Sequence, residues 1–208
     1  RKAVSDFNAT SPVIKKGLAL TPVKFGISFT AQHLNQASAL LHVYTDGSVM
    51  INHGGTEMGQ GLHTKICQVV ARELGLDLEK VRITATRTDK IPNTSPTAAS
   101  SGADLNGMAA RDASSKLRER LFDFAAAHYS EGLDREGMRL EDGMLVAGFG
   151  ESERRIPWGE LVQTAYLNRI SLSEKGFYAT PLIHYDRSVG QGRPFYYYAF
   201  GAAVAEVS

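Results

Sequence analysis

Four glycines fall within residues 54–61, GGTEMGQG, where the periodicity of the chain changes. Before them, Leu40, His42 and Tyr44 share one face of 38–53 and Leu41, Val43 and Thr45 the other. The Asp46-Gly47 pair marks the turn of this hairpin, which continues through Val49, Met50 and Ile51. After the glycines, Leu62, Ile66, Val69, Val70 and Leu74 recur at helical spacing over 62–75. A strand that runs through a glycine-rich turn into a helix needs left-handed backbone and lets that backbone approach another group closely. A helix start also presents unpaired N–H groups and a positive dipole end, which suits a phosphate or another electron-rich group. The segment is not a P-loop, because Gln60 stands where Lys would follow, and its glycine spacing is not that of a dinucleotide fingerprint. Taken alone, it fits a ligand site and a plain hairpin exit equally.

The remaining pattern is α+β. Residues 1–16 read as the end of an earlier helix and 17–30 as one or two strands. A strand is expected at 81–86, a loop rich in Thr, Ser, Asn and Pro at 87–103, and a long helix from Asp104 to His128. That helix takes Asp104 as its cap and buries Leu117, Leu121, Phe124 and Ala125. A second hairpin turns at Glu141-Asp142-Gly143, Pro157 precedes a short helix over 158–167, and strands follow near 170–178 and 195–207. The expected architecture is mixed or antiparallel sheets with hairpins packed against a few helices.

Charge and cysteine usage narrow the function. Lys and Arg number 23 against 22 Asp and Glu, a near-balance that argues against a nucleic-acid or membrane-surface partner. The run 151–155, Glu-Ser-Glu-Arg-Arg, mixes both signs and reads as a solvated face. The lone Cys67 allows no internal disulfide and no cysteine-held cluster, and its place on the apolar helix face marks a buried, inert thiol. The histidines, 33, 42, 53, 63, 128 and 184, form no metal pair at helical or hairpin spacing. No apolar run approaches the span of a bilayer. Both termini read as cuts through a longer protein, with 195–207 leaving a sheet edge open.

Two further segments carry candidate chemistry. The loop 92–102, PNTSPTAASSG, has small residues that admit a flat ligand and hydroxyls and N–H groups that bind one; a capped surface loop is the simpler account from composition. Phe29 beside Thr30, at the end of a strand, pairs a ring that stacks on a heteroaromatic with a hydroxyl that hydrogen-bonds it, although a core Phe and a strand Thr suffice in isolation.

Read together, KFGISFT (24–30), HVYTDGSV (42–49), HGGTEMGQGLHTK (53–65), PNTSPTAASSGADLNG (92–107) and KGFYATP (175–181) resemble, in content and order, the xanthine dehydrogenases of the aldehyde oxidase and xanthine dehydrogenase superfamily. The resemblance covers most of 17–207. It implies a fragment of a larger two-part molybdopterin-binding domain, with cofactor and substrate loops in 17–130 and a continuation in 131–208. It implies that Met58, Gly59 and Gln60 lie against the pterin and its phosphate or dinucleotide side, and that Ala99, Ser100, Ser101 and Gly102 line the other cofactor segment. Gly102 stands where some members carry Ser, so only its backbone N–H is offered. Phe29 and Thr30 would hold a purine, with Ala98 and Ala99 shaping its pocket. The protein supplies no metal ligand in this family, and the base Glu and substrate-binding Arg and Glu lie in segments absent here, so no catalytic residue is assigned within 1–208. The implied activity is that of a cytoplasmic, oligomeric enzyme hydroxylating hypoxanthine and xanthine towards urate, with electrons passing through iron–sulfur clusters and FAD elsewhere in the parent to NAD. The partners implied are a purine, the rest of the domain and the iron–sulfur and FAD parts. Two rivals stay open: a superfamily hydroxylase of aldehydes or other N-heterocycles, and a non-catalytic phosphate- or nucleotide-binding module. The chain alone is expected to be inactive.

Overall fold

The computed structural model describes residues 1–129, 133–150 and 153–208. Its centre is a four-stranded sheet of order β4-β3-β2-β8, formed by β2 (Gln36–Val43), β3 (Val49–His53), β4 (Val81–Ile83) and β8 (Ser173–Ala179). β2 lies antiparallel to β3 and β8, while β4 runs parallel to β3 after a crossover through α2 (Leu62–Glu73). The β2–β3 turn places only Gly47 at positive φ, +80°, and the Asp46 carboxylate accepts from the Ser48 N–H at 2.9 Å. The second expected hairpin, between β5 (Arg139–Glu141) and β6 (Met144–Ala147), has Asp142 at φ +49° and Gly143 at +71°, as a two-residue turn with both central residues left-handed requires.

Helices α2 and α3 (Gly102–His128) cover one face of the sheet. On α3 the buried positions Leu105, Ala109, Ala113, Leu117, Leu121 and Ala125 form a stripe at four-residue spacing. The small residues allow close packing on β8: a side chain at Gly176 would sit 1.9 Å from the Ala109 carbonyl oxygen. Phe122 is buried, whereas Phe124, expected inside, is only half-buried at the margin. The helix begins two residues before the expected start. Its cap position is Ser101, and Asp104 lies in the first turn, where it accepts from the Tyr197 hydroxyl at 3.0 Å. The small sheet β5-β6-β7, with β7 at Arg154–Pro157, and α4 (Trp158–Leu167) join the same core through Leu145, Ala147, Ile156, Trp158 and Leu161. The Trp158 indole N–H donates to the Gly47 carbonyl at 2.8 Å and ties α4 to the first hairpin.

Outside this body, β1 (Gly17–Ile27) and β11 (Tyr197–Val207) pair antiparallel along their whole length, Gly17 facing Val207 and Ile27 facing Tyr197. Every residue of β11 is exposed, so the ribbon leaves Phe200, Val204 and Val207 in solvent. A short hairpin of β9 (His184–Asp186) and β10 (Gln191–Arg193) and the helix α1 (Lys2–Thr10) complete the described chain. Strands β7, β9 and β10 went unread in the sequence because each is only three or four residues long. Of the mixed-charge run, Glu151 and Ser152 lie outside the described residues, as does the expected division near 130. Glu153 pairs with Arg139 at 2.8 Å and Arg155 at 2.8 Å. No helix among the described residues is long and apolar enough to cross a membrane.

Candidate functional site

The two candidate loops meet. Gly54 and Gly55 follow β3, and neither position has room for a side chain. A Cβ on Gly54 would lie 2.1 Å from the Thr94 side chain, and one on Gly55 would lie 2.6 Å from Leu62 and 2.9 Å from Asn106. The Thr56 N–H donates to the Thr97 hydroxyl at 2.9 Å, and the Thr86 hydroxyl donates to the Gly55 carbonyl at 2.8 Å. The second loop is anchored from its other side, where the Ser95 hydroxyl donates to the Gln36 carbonyl at 3.2 Å. Ala99 and Ser100 both hold φ +53°, a left-handed conformation costing an L-residue about 1–2 kcal/mol each.

The result is a cleft of about 520 Å³ between the loops and the starts of α2 and α3. Six expected site residues line it: Met58, Gln60, Ala98, Ala99, Ser100 and Gly102. Gly59 and Ser101 alternate with them but do not line it. Gly59, at φ +94°, has nothing within 4 Å of its Cβ direction, so its glycine serves the backbone conformation. Ser101 is buried, and its hydroxyl donates to the Ala98 carbonyl at 3.0 Å. Phe29 and Thr30 are half-buried just beyond the end of β1 and are not among the lining residues; Asn35 pins the backbone of Phe29 by accepting from its N–H at 2.8 Å and donating to its carbonyl at 2.9 Å. Four residues were missed in the sequence. Leu62, Lys65, Thr97 and Ala103 also line the cleft, and all four lie in or beside the quoted motifs.

At the start of α2, Glu57 takes one helix donor and two donors of the preceding loop. One carboxylate oxygen accepts from the N–H groups of Gly59 at 3.0 Å and Gly61 at 2.9 Å, and the other from that of His63 at 3.0 Å. The His63 N–H, then those of Gly61 and Gly59, hold the Glu57 carboxyl below the usual carboxylate range. Gln60 is also engaged within the loop, its amide oxygen accepting from the Met58 N–H at 2.6 Å and its NH2 donating to the Thr56 carbonyl at 2.9 Å. One N–H and one lone pair of that amide remain available. Met58 is 65% exposed on the rim of the cleft, an apolar side chain held out as a contact surface.

Beneath the first loop lies His53. Burial, with the neighbouring His63 adding to it, lowers its pKa to about 4, so the ring is neutral at physiological pH. Nδ1 accepts from the Gly55 N–H at 3.0 Å, which puts the proton on Nε2, and that atom is buried without a partner among the described residues. His53 therefore supports the turn. Burial raises the Cys67 thiol above its ordinary value, so it stays protonated and unreactive. Among the described residues no group of three or more His, Cys, Asp or Glu side chains is placed to hold a metal ion.

The family description that matches residues 1–208 is "Molybdopterin cofactor-binding domain". Similar proteins include the xanthine dehydrogenase of Oryza sativa subsp. japonica, 45% identical over 207 residues, and the xanthine dehydrogenase/oxidase of Gallus gallus, 44% identical over 207 residues. Each alignment covers 100% of this chain, and the chain spans 13% of the length of each relative. Among solved structures, quinoline 2-oxidoreductase from Pseudomonas putida 86 superposes with a TM-score of 0.75 at 22% identity, covering 99% of this chain and 27% of that one, a likeness of fold.

Proposed function

Because the chain belongs to the molybdopterin cofactor-binding domain family, we propose that the cleft between its two loops holds a pyranopterin cofactor as part of a larger xanthine-hydroxylating enzyme. The observation that carries this reading is the docking of the loops, which brings six separately suspected residues onto one cleft whose volume lies within the usual range for small-molecule sites. The residues fit the group. Ala98, Ala99, Gly102 and Ala103 leave a floor without bulky side chains. A Cβ at Gly102 would come within 3.2 Å of Thr97, so this floor has little slack. Met58 offers an apolar contact and Gln60 a free amide N–H and lone pair.

In this reading Met58, Gly59 and Gln60 hold one side of the cofactor, and Ala99, Ser100 and the Gly102 N–H the other. Ser101 acts from behind by fixing the turn at Ala98. When bound, the cofactor supplies molybdenum on its own dithiolene sulfurs and with it the redox chemistry of carbon hydroxylation. The chain itself orients the group and keeps water from its pterin face. Phe29 and Thr30, with Ala98 and Ala99, face a purine once the rest of the enzyme closes the site. Segments beyond this chain provide the base, the remaining substrate contacts, and the iron–sulfur and FAD centres that pass electrons to NAD. The similarity to xanthine dehydrogenases supports this assignment, and we propose an oligomeric, cytoplasmic parent.

Metal and pterin analysis of the full-length parent tests the reading, together with turnover of hypoxanthine against benzaldehyde. Molybdenum and pterin near one equivalent each, with the purine preferred, is the expected result. A preparation that binds nucleotides but holds neither molybdenum nor pterin favours a plain phosphate- or nucleotide-binding module. Preference for the aldehyde sinks the purine assignment and leaves the cofactor assignment standing.

A further inference from the structure

The turn between β1 and β2 is buried and strained, yet it carries a half-buried aromatic ring. Ser28 is buried and holds φ +124°, a conformation that costs an L-residue stability and that glycine ordinarily supplies. Phe29 follows it, and among the described residues its ring stacks on no other ring. One side chain holds this turn. The buried Asn35 carboxamide accepts from the Phe29 N–H at 2.8 Å, donates to the Phe29 carbonyl at 2.9 Å and donates to the Gln32 carbonyl at 3.3 Å. The N–H and C=O of a residue flank its two soft backbone torsions, so a planar amide closed on both confines Phe29 to motion of its side chain. The carboxamide is itself anchored. Asn35 directly precedes β2; its backbone N–H donates to the Gln32 carbonyl at 3.1 Å, and its carbonyl accepts from the Thr180 N–H, just past β8, at 3.0 Å. The Gln32 amide donates to the Ile183 carbonyl, and the Ile27 carbonyl accepts from the Tyr196 N–H at 3.1 Å. The central sheet thus fixes the Phe29 backbone through one buried residue.

We infer that Asn35 is a positioning residue for the substrate: by closing on both backbone groups of Phe29 it presets the ring against which a purine stacks. The inference rests on the reading that Phe29 faces the purine, and it adds a residue that acts only through that ring. A turn that merely joined two strands would gain from glycine at position 28, which follows the same path without the strain. Here a serine is held in that path, and the hydrogen bonds that hold it end on the one residue whose ring has a ligand to meet. A preset ring spares the substrate the cost of ordering it, so the contribution falls on binding.

The experiment uses the full-length parent with Asn35→Asp, Asn35→Ala and Phe29→Ala, and with each Asn35 substitution combined with Phe29→Ala. Molybdenum content, Tm, and kcat and KM for hypoxanthine are measured, with kcat taken per molybdenum. Asn35→Asp keeps the size and the acceptor and loses the donor, whereas Asn35→Ala loses both. Each alone is expected to raise KM about three- to tenfold with kcat within about twofold of wild type, the signature of lost ground-state binding. In the Phe29→Ala background the same substitutions should change KM by less than about twofold, because no ring remains to aim. Tm should fall alike in both backgrounds, so the cycle on KM separates positioning from stability. Equal KM effects in the two backgrounds, or an unchanged KM, overturn the inference; if Phe29→Ala still raises KM, the purine reading stands. Loss of molybdenum-loaded enzyme from both Asn35 variants also overturns it, since Asn35 then holds the fold and not the ring. A Phe29→Ala enzyme with wild-type kcat and KM sinks the purine reading itself.

Discussion

Helices α2 and α3 start on the same cleft, yet the loops that lead into them are held in different ways. At α2 the preceding loop carries its own anion: Glu57 fills the donors of Gly59, Gly61 and His63. At α3 the preceding loop carries none, the Ser101 hydroxyl turns back to Ala98, and the first amides stay open. Helix dipole and glycine content alone would give both starts the same role. On the proposed reading, one loop is a wall held by its own carboxylate, and the other is a receptor whose donors are completed from outside. It also accounts for the distribution of strain. Left-handed non-glycine residues, Ala99 and Ser100, occur in the receptor loop, while the positive φ values of residues 54–61 belong to Gly59 and Gly61.

The largest effect should come from separating the two loops. Gly54→Ala drives a methyl into Thr94, a contact of 2.1 Å that neither a short threonine nor the adjoining backbone can avoid. The expected cost is about 1–3 kcal/mol of stability, seen as a lowered Tm, with most of the pterin lost. Gly59→Ala is the matched control. It meets no atom within 4 Å and pays only for φ +94°, so about 1 kcal/mol is expected and pterin retention should suffer less. Adding Thr94→Gly to Gly54→Ala should recover part of the loss, a coupling that a double-mutant cycle reads directly. If Gly59→Ala proves the more damaging of the two, loop docking is not what builds the cleft.

A smaller effect, and a pH-dependent one, is expected at Glu57. Its folded pKa lies below the ordinary value, so its contribution is fully present above the unfolded pKa and is lost as the pH falls through the folded one. Pterin retention by the parent should therefore fall off below the normal Glu range. Glu57→Gln, which still accepts hydrogen bonds through one oxygen, should keep more pterin than Glu57→Ala and should lose this part of the pH dependence. Dialysis of the three proteins over a pH series measures it. Equal retention by Glu57→Ala and wild type at neutral pH would mean that the wall needs no internal anion.

Much of this arrangement is legible in the sequence, for physical reasons that differ between residues. Period-two alternation and the Asp-Gly pairs locate both hairpins, and the period of 3.6 locates α2, because burial on one face imposes those repeats. The start of α3 is misread because Asp104 is an ordinary cap residue by type, but it lies inside the first turn and its carboxylate accepts from Tyr197, 93 residues away. The role of Glu57 is hidden for a related reason. An acidic residue in a glycine-rich loop has no periodic signature, and its three partners converge only after the loop has folded. Lys65 is concealed inside the helical pattern, where an exposed cation is unremarkable until the cleft beside it is visible.

The smallest effect on the cofactor belongs to a residue outside both loops. Phe29 follows β1, and its backbone is fixed from both sides by Asn35, whose side chain is independent of the Phe29 ring. Truncation to Ala therefore leaves the chain path intact. Pterin and molybdenum content of the parent should be unchanged in Phe29→Ala. Purine turnover should fall, because the ring is assigned to the substrate and aromatic stacking contributes about 0.5–1.5 kcal/mol beyond its buried area. The fall should appear in kcat/KM for hypoxanthine and persist when the measurement is normalised to molybdenum. Gln60→Ala makes the opposite pattern: it removes the strut between Thr56 and Met58, so metal content should drop while turnover per molybdenum stays near wild type. If Phe29→Ala empties the site and Gln60→Ala does not, the cofactor lies against the end of β1, and the wall and the receptor described for the two loops belong to some other ligand.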